Sequence, residues 1–155
     1  MRVEILPAEA SHIVAMQGRF RPADIAELWA AAHRTPEECL RLGLESSVLA
    51  WTAFFDGVPV AMLGVTPAAL VAAIGCPWMV GTVELDRQAY AIMRHCRGPL
   101  VRMLRTFPHL VNFVDARNTR AIRWLQVLGF EFSPAAPHGI EGLPFHRFEM
   151  RRAYV

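Results

Sequence analysis

The feature that most constrains the fold of this chain is a thirteen-residue stretch, residues 118–130, which joins a polar helix start, an apolar helical face and a glycine stop. The apolar positions recur at the spacing of one helix face, and they are Ala121, Ile122, Leu125 and Leu128. Asp115 or Asn118 can cap the start of such a helix. Gly129 suits the left-handed position just past the helix end, with Phe130 folded back onto Leu125. An apolar run at 110–114 precedes the stretch, so the order strand, helix, strand is predicted.

The composition predicts one globular domain over residues 1–155. The chain is 54% apolar and 19% charged, and its prolines and glycines are spread out rather than gathered in a linker. The net charge of +2 is too small to indicate nucleic-acid binding. All 16 basic residues are arginine, which excludes a Schiff-base lysine and a phosphate loop of the Walker type.

The cysteines and histidines predict no disulfide framework and no metal site. Cys39, Cys76 and Cys96 are odd in number and widely spaced, as in a cytoplasmic protein with reduced thiols. The six histidines lack metal-ligand spacing. No basic flank followed by an apolar run opens the chain, so we expect no signal peptide. Residues 57–83 carry no charge, but the prolines and glycines inside this segment favour buried strands over a membrane helix.

Turn and cap residues divide the rest of the chain into predicted elements. Asp56-Gly57 between apolar runs at 48–55 and 58–65 predicts a β-hairpin, with Pro59 at an edge or bulge. Thr35, Pro36 and Glu38 predict a capped helix start. Further elements are a first strand at 3–6, helices at 7–16 and 23–32, a loop or short helix at 67–74, strands at 77–81, 130–132 and 145–150, and a helix at 86–96 that resumes at 100–107 after Gly98-Pro99. In the second helix, Ile25, Leu28 and Trp29 form an apolar stripe.

The same 118–130 stretch resembles motif B of the Gcn5-related N-acetyltransferases, the GNAT superfamily. Asn118, Ala121, Gly129 and Phe130 carry this resemblance. The longer run 112–130 is similar to GNAT-like proteins of bacteriophages, a group that includes an internal virion protein of short-tailed phages. The resemblance implies a mixed α/β fold, the GNAT fold, with a central, mostly antiparallel, twisted sheet of six to seven strands, flanked by helices and containing a splayed pair of parallel strands.

The resemblance also implies acetyl-coenzyme A (acetyl-CoA) as the cofactor. In GNAT proteins the splayed fourth strand offers free backbone amides to the cofactor, and by position that strand holds Met79, Val80 and Gly81. A glycine-rich pyrophosphate loop should follow, but no good copy exists here. The nearest segments are 81–88 and Arg97-Gly98-Pro99, helped by Arg87, Arg94 and Arg102. Asn118 is a cofactor contact by the same resemblance, and capping of its own helix remains an equal alternative.

The catalytic groups are less well defined. Many GNAT enzymes place a tyrosine seven residues after the motif asparagine as the acid for the leaving thiolate, and Leu125 stands at that position. For the base that deprotonates the amine, Glu84 is the first choice because it lies just beyond the splayed strand. His146 and His109 are further base candidates because their intrinsic pKa is close to neutral.

Two functions are the main alternatives at this point, and a non-catalytic module that binds coenzyme A or a partner is a third. One is an N-acetyltransferase that acts on a small-molecule or protein amine, with no nucleic-acid or membrane partner and with a homodimer as a possible assembly. The other is a phage-derived, virion-associated protein that keeps the fold without activity, an alternative suggested by Leu125 and the missing glycine loop. We expect a cytoplasmic location, or a virion-associated one if the chain is phage-encoded.

Overall fold

The computed structural model describes residues 1–69, 71 and 73–153. Its helices are α1 (Ala10–Met16), α2 (Pro22–Ala32), α3 (Pro36–Ser46), α4 (Val83–Arg87), α5 (Ala89–Thr106) and α6 (Thr119–Leu128). Its strands are β1 (Val3–Pro7), β2 (Leu49–Phe55), β3 (Val58–Ala69), β4 (Ile74–Gly81), β5 (His109–Asp115), β6 (Glu131–Phe132), β7 (Ala136–His138) and β8 (Leu143–Arg151).

The strands form one mixed sheet in the order β1-β2-β3-β4-β5-β8-β6, and β7 pairs with β8 beside this path. Every pairing is antiparallel except β4 with β5. The predicted fold class is therefore confirmed. The described sheet has eight strands instead of six to seven, because two very short strands, β6 and β7, pair with β8.

The predicted hairpin and its bulge are confirmed. Asp56 and Gly57 both have positive φ, 47° and 80°, which suits the two-residue turn that matches strand twist. The register shifts between Ala53 and Phe54, opposite Pro59. The uncharged segment supplies β3 and β4, as predicted. Across the described residues, no helix combines the length and the apolar character needed to cross a bilayer.

The loop or short helix predicted at 67–74 is wrong in part. β3 continues to Ala69 and β4 begins at Ile74, since Pro67 and Ala69 still pair with Gly75 and Ile74. Leu70 and Ala72, inside the same prediction, lie outside the described residues.

The helix break predicted at Gly98-Pro99 is also wrong. α5 runs without interruption from Ala89 to Thr106, with Pro99 inside the helix. The clash that normally keeps the residue before proline out of a helix involves its Cβ, which glycine lacks. Gly98 therefore lets the helix continue through Pro99.

The two faces of the sheet carry separate cores. α5 and α6 cover one face, where the core includes Leu63, Ile92, Val114 and Phe130. α1 and α3 cover the other face around Ile13, Leu40 and Val80. α6 ends at Gly129 with φ 103°, and the Phe130 amide donates to the Leu125 carbonyl at 3.0 Å, so the predicted helix stop is confirmed.

Two glycines make room for a tryptophan between the sheet and α3. Trp78 on β4 lies against Gly64 of β3 and Gly43 of α3, and its indole Nε1 donates to the Ser47 hydroxyl at 2.8 Å. A Cβ on Gly64 would come within 2.6 Å of the Leu49 carbonyl oxygen and 2.8 Å of the indole. The backbone of β2 cannot move away without breaking the sheet.

We therefore expect Gly64→Ala to lower the free energy of unfolding by about 1–3 kcal/mol, the usual cost of overpacking a core. Urea unfolding followed by tryptophan fluorescence measures this change. Equal stability for Gly64→Ala and the parent chain would contradict this account of the packing.

Candidate functional site

A cavity of about 450 Å³ lies where the two parallel strands diverge. β4 and β5 pair only at Ile74 with His109 and at Gly75 with Leu110. Beyond these pairs the strands separate. The walls include Trp78 and Val80 from one face of the sheet and Met79 and Leu63 from the other, so the cavity passes through the sheet.

The opening between β4 and β5, which we call the window, is closed at both ends by hydrogen bonds. At the inner end the Asn112 side-chain amide donates to the Pro77 carbonyl at 2.7 Å. At the outer end two carboxylates of α2 bridge the strands. Asp24 accepts from the Gly81 amide of β4 at 2.9 Å, and Glu27 accepts from the Asp115 amide of β5 at 2.8 Å. The window is thus the gap left between these two bridges.

The three residues predicted to bind cofactor on β4 differ in what their amides face. The Thr82 amide donates to the Val60 carbonyl at 2.8 Å, so the alternation of an antiparallel ladder turns the Val80 amide towards β3. The amides of Met79 and Gly81 face the window. Asp24 already occupies the Gly81 amide, which leaves the Met79 amide directed into the window.

α2 turns a polar face towards the cavity. Asp24, Glu27, Leu28 and Ala31 follow the i, i+3, i+4, i+7 spacing, and all four line the cavity. Of the apolar stripe noted in the sequence, Ile25 is 45% exposed and Trp29 is 50% exposed. This helix therefore turns the buried Asp24 and the half-buried Glu27 inward and leaves two large apolar side chains largely in solvent, which is unusual for an amphipathic helix.

Asp24 belongs to a buried ion-pair network. Arg21, only 3% exposed, donates through Nη1 to Asp24 Oδ1 and through Nε to Asp86 Oδ1, both at 2.7 Å. The Arg21 guanidinium also lies 4.8 Å from the centre of the Trp124 ring. Burial raises the pKa of Asp24, and the Arg21 charge opposes this rise. The network holds the start of α2 against the end of β4, against α4 and against α6.

Among the residues that the structure describes, no cation forms an ion pair with Glu27 as Arg21 does with Asp24. Both hydrogen bonds to its carboxyl group end on Oε1, from the Asp115 amide at 2.8 Å and from the Asn118 side chain at 3.4 Å. Burial raises the pKa of Glu27 to about 7, and the nearby Asp24 charge adds to the rise. Asp115 differs, because hydrogen bonds from Arg117 outweigh its burial and keep its pKa below the ordinary value. Glu27 is therefore a carboxyl group that exchanges its proton near neutral pH.

The sequence left two roles open for Asn118, a cofactor contact and the cap of α6. Its side-chain oxygen accepts from the Ala121 amide at 3.4 Å, which caps α6, and its nitrogen donates to Asp24 and Glu27. The residue is 3% exposed and lines the cavity. Capping is thus observed, and the side chain also positions the two carboxylates of α2.

The two predicted catalytic residues do not meet at this cavity. The described walls include neither Glu84 nor His146. Glu84 forms an ion pair with Arg19 at 3.1 Å, and His146 Nδ1 lies 2.9 Å from the Ser133 carbonyl oxygen. His109, the other candidate base, lies 2.7 Å from Glu149 on β8. The geometry favours none of the three as the base.

Arg97 and Gly98 are exposed in the middle of α5, where backbone amides serve the helix itself, so they do not open a helix as predicted. The helix start in this region is at Ala89, preceded by Arg87 and Gln88. Ile92 and Met93, one turn further, line the cavity. The open amides of α5 are therefore next to the cavity, but at a different position from the predicted one.

Sequence reasoning missed Asp24 and Glu27. An acidic residue in the first turn of a helix is usually explained by the helix dipole, and that explanation conceals a binding role. The spacing of both acids with Leu28 and Ala31 was the available signal, since it places them on one face.

The ionisation of Glu27 should make the free energy of unfolding depend on pH. The pKa of Glu27 is about 7 in the folded state against 4.5 for an exposed glutamate, so between these pH values the folded state holds a proton that the unfolded state has lost. The free energy of unfolding therefore falls over this range, and the contribution of the proton is lost as the pH rises through 7. We expect Glu27→Gln, which keeps the acceptor for the Asp115 amide, to be more stable than the parent by about 2–3 kcal/mol at pH 8 and by less than about 1 kcal/mol at pH 5. Urea unfolding at both pH values measures the difference. A difference that does not change with pH would contradict it.

No protein-family model matches the chain, and no curated protein matches it by sequence. Solved structures do match. A GNAT-family acetyltransferase from Bacillus anthracis has a TM-score of 0.72 at 10% identity, over 97% of this chain and 95% of that one. Spermidine N-acetyltransferase from Vibrio cholerae, in complex with CoA and spermine, has a TM-score of 0.72 at 9% identity over 97% and 95%. A putative acetyltransferase from Salmonella typhimurium, with acetyl-CoA, has a TM-score of 0.69 at 13% identity over 100% and 96%. The chain therefore has the fold of the GNAT acetyltransferases.

Proposed function

We propose that this protein is an N-acetyltransferase of a single domain that transfers an acetyl group from acetyl-CoA to an amine. The observation that carries the proposal is the window, an opening through the sheet that gives two substrates access to one point from opposite faces. Acyl transfer needs such a meeting point, because the thioester and the amine must come into contact while water is kept out.

The residues on the α5 and α6 side suit the long arm of coenzyme A. The walls there are apolar, formed by Ile92, Met93, Cys96, Leu100, Trp124, Leu125 and Leu128. The Met79 amide points into the window and can donate to an amide or thioester oxygen of the ligand. The first-turn amides of α5, beside Arg87, offer a place for phosphate groups. Acetyl-CoA supplies the activated acetyl group.

The opposite side suits the amine. Arg21, Asp24 and Glu27 are the charged residues on the described walls, and Arg21 is engaged by Asp24 and Asp86. The remaining negative charge attracts an ammonium group into the cavity. The solved relatives with this fold include a spermidine N-acetyltransferase, which supports an amine acceptor.

A second candidate is a non-catalytic GNAT-fold protein, including a virion-associated phage protein. Two observations favour it. The Gly81 amide donates to Asp24 and is therefore not free for a cofactor. Leu125, at the position where many GNAT enzymes carry a tyrosine acid, lines the cavity with a side chain that cannot donate a proton. Such a protein would bind neither acetyl-CoA nor an amine in this cavity.

We expect acetyl-CoA to bind with a dissociation constant in the micromolar to millimolar range, and we expect Met79→Pro to weaken binding about tenfold, the effect of one lost hydrogen bond. Met79→Ala is the matched control, because it removes the side chain and keeps the amide. Proline at this position breaks no bond to β3, since the Met79 amide faces the window. Isothermal titration calorimetry measures the affinities, and circular dichroism checks that both variants fold. No binding to the parent at millimolar acetyl-CoA would contradict the proposed function.

We expect Leu125→Tyr to raise kcat about tenfold by supplying a hydroxyl that can protonate the leaving thiolate, a modest part of the 10²–10⁴ that a well-placed acid contributes. Leu125→Phe is the matched control, since it adds the ring without the hydroxyl. The rate of thiol release from acetyl-CoA, measured with saturating amine, compares them. Equal rates for the two variants would show that position 125 does not face the sulfur.

A further inference from the structure

Resting on the proposed function, we infer that Glu27 is the base that deprotonates the acceptor, and that the acceptor is a primary amine with a single ammonium group on an apolar body. No resemblance points to this residue, which lies on α2 and not on the splayed strands. Its assignment comes from its place at the rim of the window and from the chemistry of the walls around it.

One oxygen of Glu27 is free of the two hydrogen bonds that hold its carboxyl group. Its Oε1 accepts from the Asp115 amide and the Asn118 side chain, and these two bonds fix the carboxyl group at the end of β5. The second oxygen, Oε2, receives neither of them, while Glu27 lines the cavity. A carboxylate held through one oxygen with the other directed to a cavity is arranged to bind a donor.

The charged side chains on the described walls leave one carboxyl group for a ligand cation. Asp24 accepts from Arg21, Asn118 and Gly81, so both of its oxygens are engaged and Arg21 compensates its charge. Among the described walls this leaves Glu27 as the carboxyl group with capacity for a ligand cation. A polyamine would bring a second ammonium with no partner, and burying an unpaired charge is costly. An amine with a single ammonium group therefore matches the single available carboxyl group.

Apolar side chains form much of the cavity wall on the same side as Glu27. Leu28 and Ala31 of α2, Leu42 and Gly43 of α3, and Phe113 of β5 line this part of the cavity. Phe113 stacks on His138 with ring centres 3.8 Å apart, which forms a flat wall. Cys39 and Cys76 also line it, and burial raises the pKa of both thiols, so they stay neutral. Such walls favour an alkyl or aromatic group next to the ammonium.

The proton steps balance with Glu27 as the base. Oε2 takes one proton from the ammonium, and the freed nitrogen lone pair forms the N–C bond to the acetyl carbon. The C–S bond breaks, its electron pair leaves on sulfur, and the second nitrogen proton reaches sulfur by way of water. Glu27 returns its proton to solvent. The products are the acetylated amine, the free thiol and one proton.

The test combines binding and turnover in the full chain. At pH 8, calorimetry with the protein alone should show 2-phenylethylamine binding at least tenfold more tightly than 2-phenylethanol, its uncharged match, and more tightly than spermidine. Glu27→Gln should abolish the preference for the amine over the alcohol. Glu45→Gln, which changes an exposed carboxylate of α3 to the same amide, should keep it. Equal binding of amine and alcohol to the parent, or a preference retained in Glu27→Gln, would overturn the inference.

Turnover separates this inference from the proposed function. With acetyl-CoA and 2-phenylethylamine, kcat/KM of the parent should rise with pH through about 7, because only the ionised Glu27 accepts a proton. Glu27→Gln should lower kcat/KM at least 100-fold, remove that rise and bind acetyl-CoA within threefold of the parent. Turnover with an unchanged pH profile in Glu27→Gln would refute the base and leave the proposed function intact. An absence of acetyl-CoA binding to the parent would refute the proposed function instead.

Discussion

The structure depends on one constraint: acceptors must be found for the backbone amides that two diverging parallel strands leave without a ladder partner. β4 and β5 separate after Gly75 and Leu110, so the amides of Gly81 and Asp115 face a gap. Buried amides need acceptors. Asp24 and Glu27, three residues apart on α2, supply one acceptor to each strand. The helix therefore bridges the gap and fixes how far the strands can separate.

This bridge explains the unusual exposure of α2. The helix must turn its acidic face inward to reach both strands, so Ile25 and Trp29 face solvent. Arg21 compensates the charge of Asp24 through a hydrogen bond of 2.7 Å, and the Arg21 amide donates to the Gly81 carbonyl at 3.0 Å. Asn118 links the bridge to α6. The start of α2, the end of β4 and the start of α6 thus form one hydrogen-bonded unit around the window.

The sequence predicts the parts of the fold that local chemistry determines. The stop at Gly129, the turn at Asp56-Gly57 and the cap at Thr35 all follow from backbone preferences of a few residues, and the structure confirms them. The continuity of α5 through Pro99 was not predicted, because proline normally ends a helix and the effect of a preceding glycine is easily overlooked. The site was predicted least well. Asp24 and Glu27 accept from amides 57 and 88 positions away along the chain, so the helical spacing that places both acids on one face does not show which groups that face meets.

The charge of Glu27 is not required by the fold. The structural task at this position is to accept the Asp115 amide, and the side-chain oxygen of a glutamine would do this without a buried charge. The carboxyl group adds a destabilising ionisation near pH 7, and its Oε2 receives neither of the two hydrogen bonds in a residue that lines the cavity. A protein that used this fold only as a scaffold would gain stability from the amide. A carboxyl group is useful where a proton must be taken up, and this use supports the proposed acetyl transfer over a non-catalytic protein of the same fold.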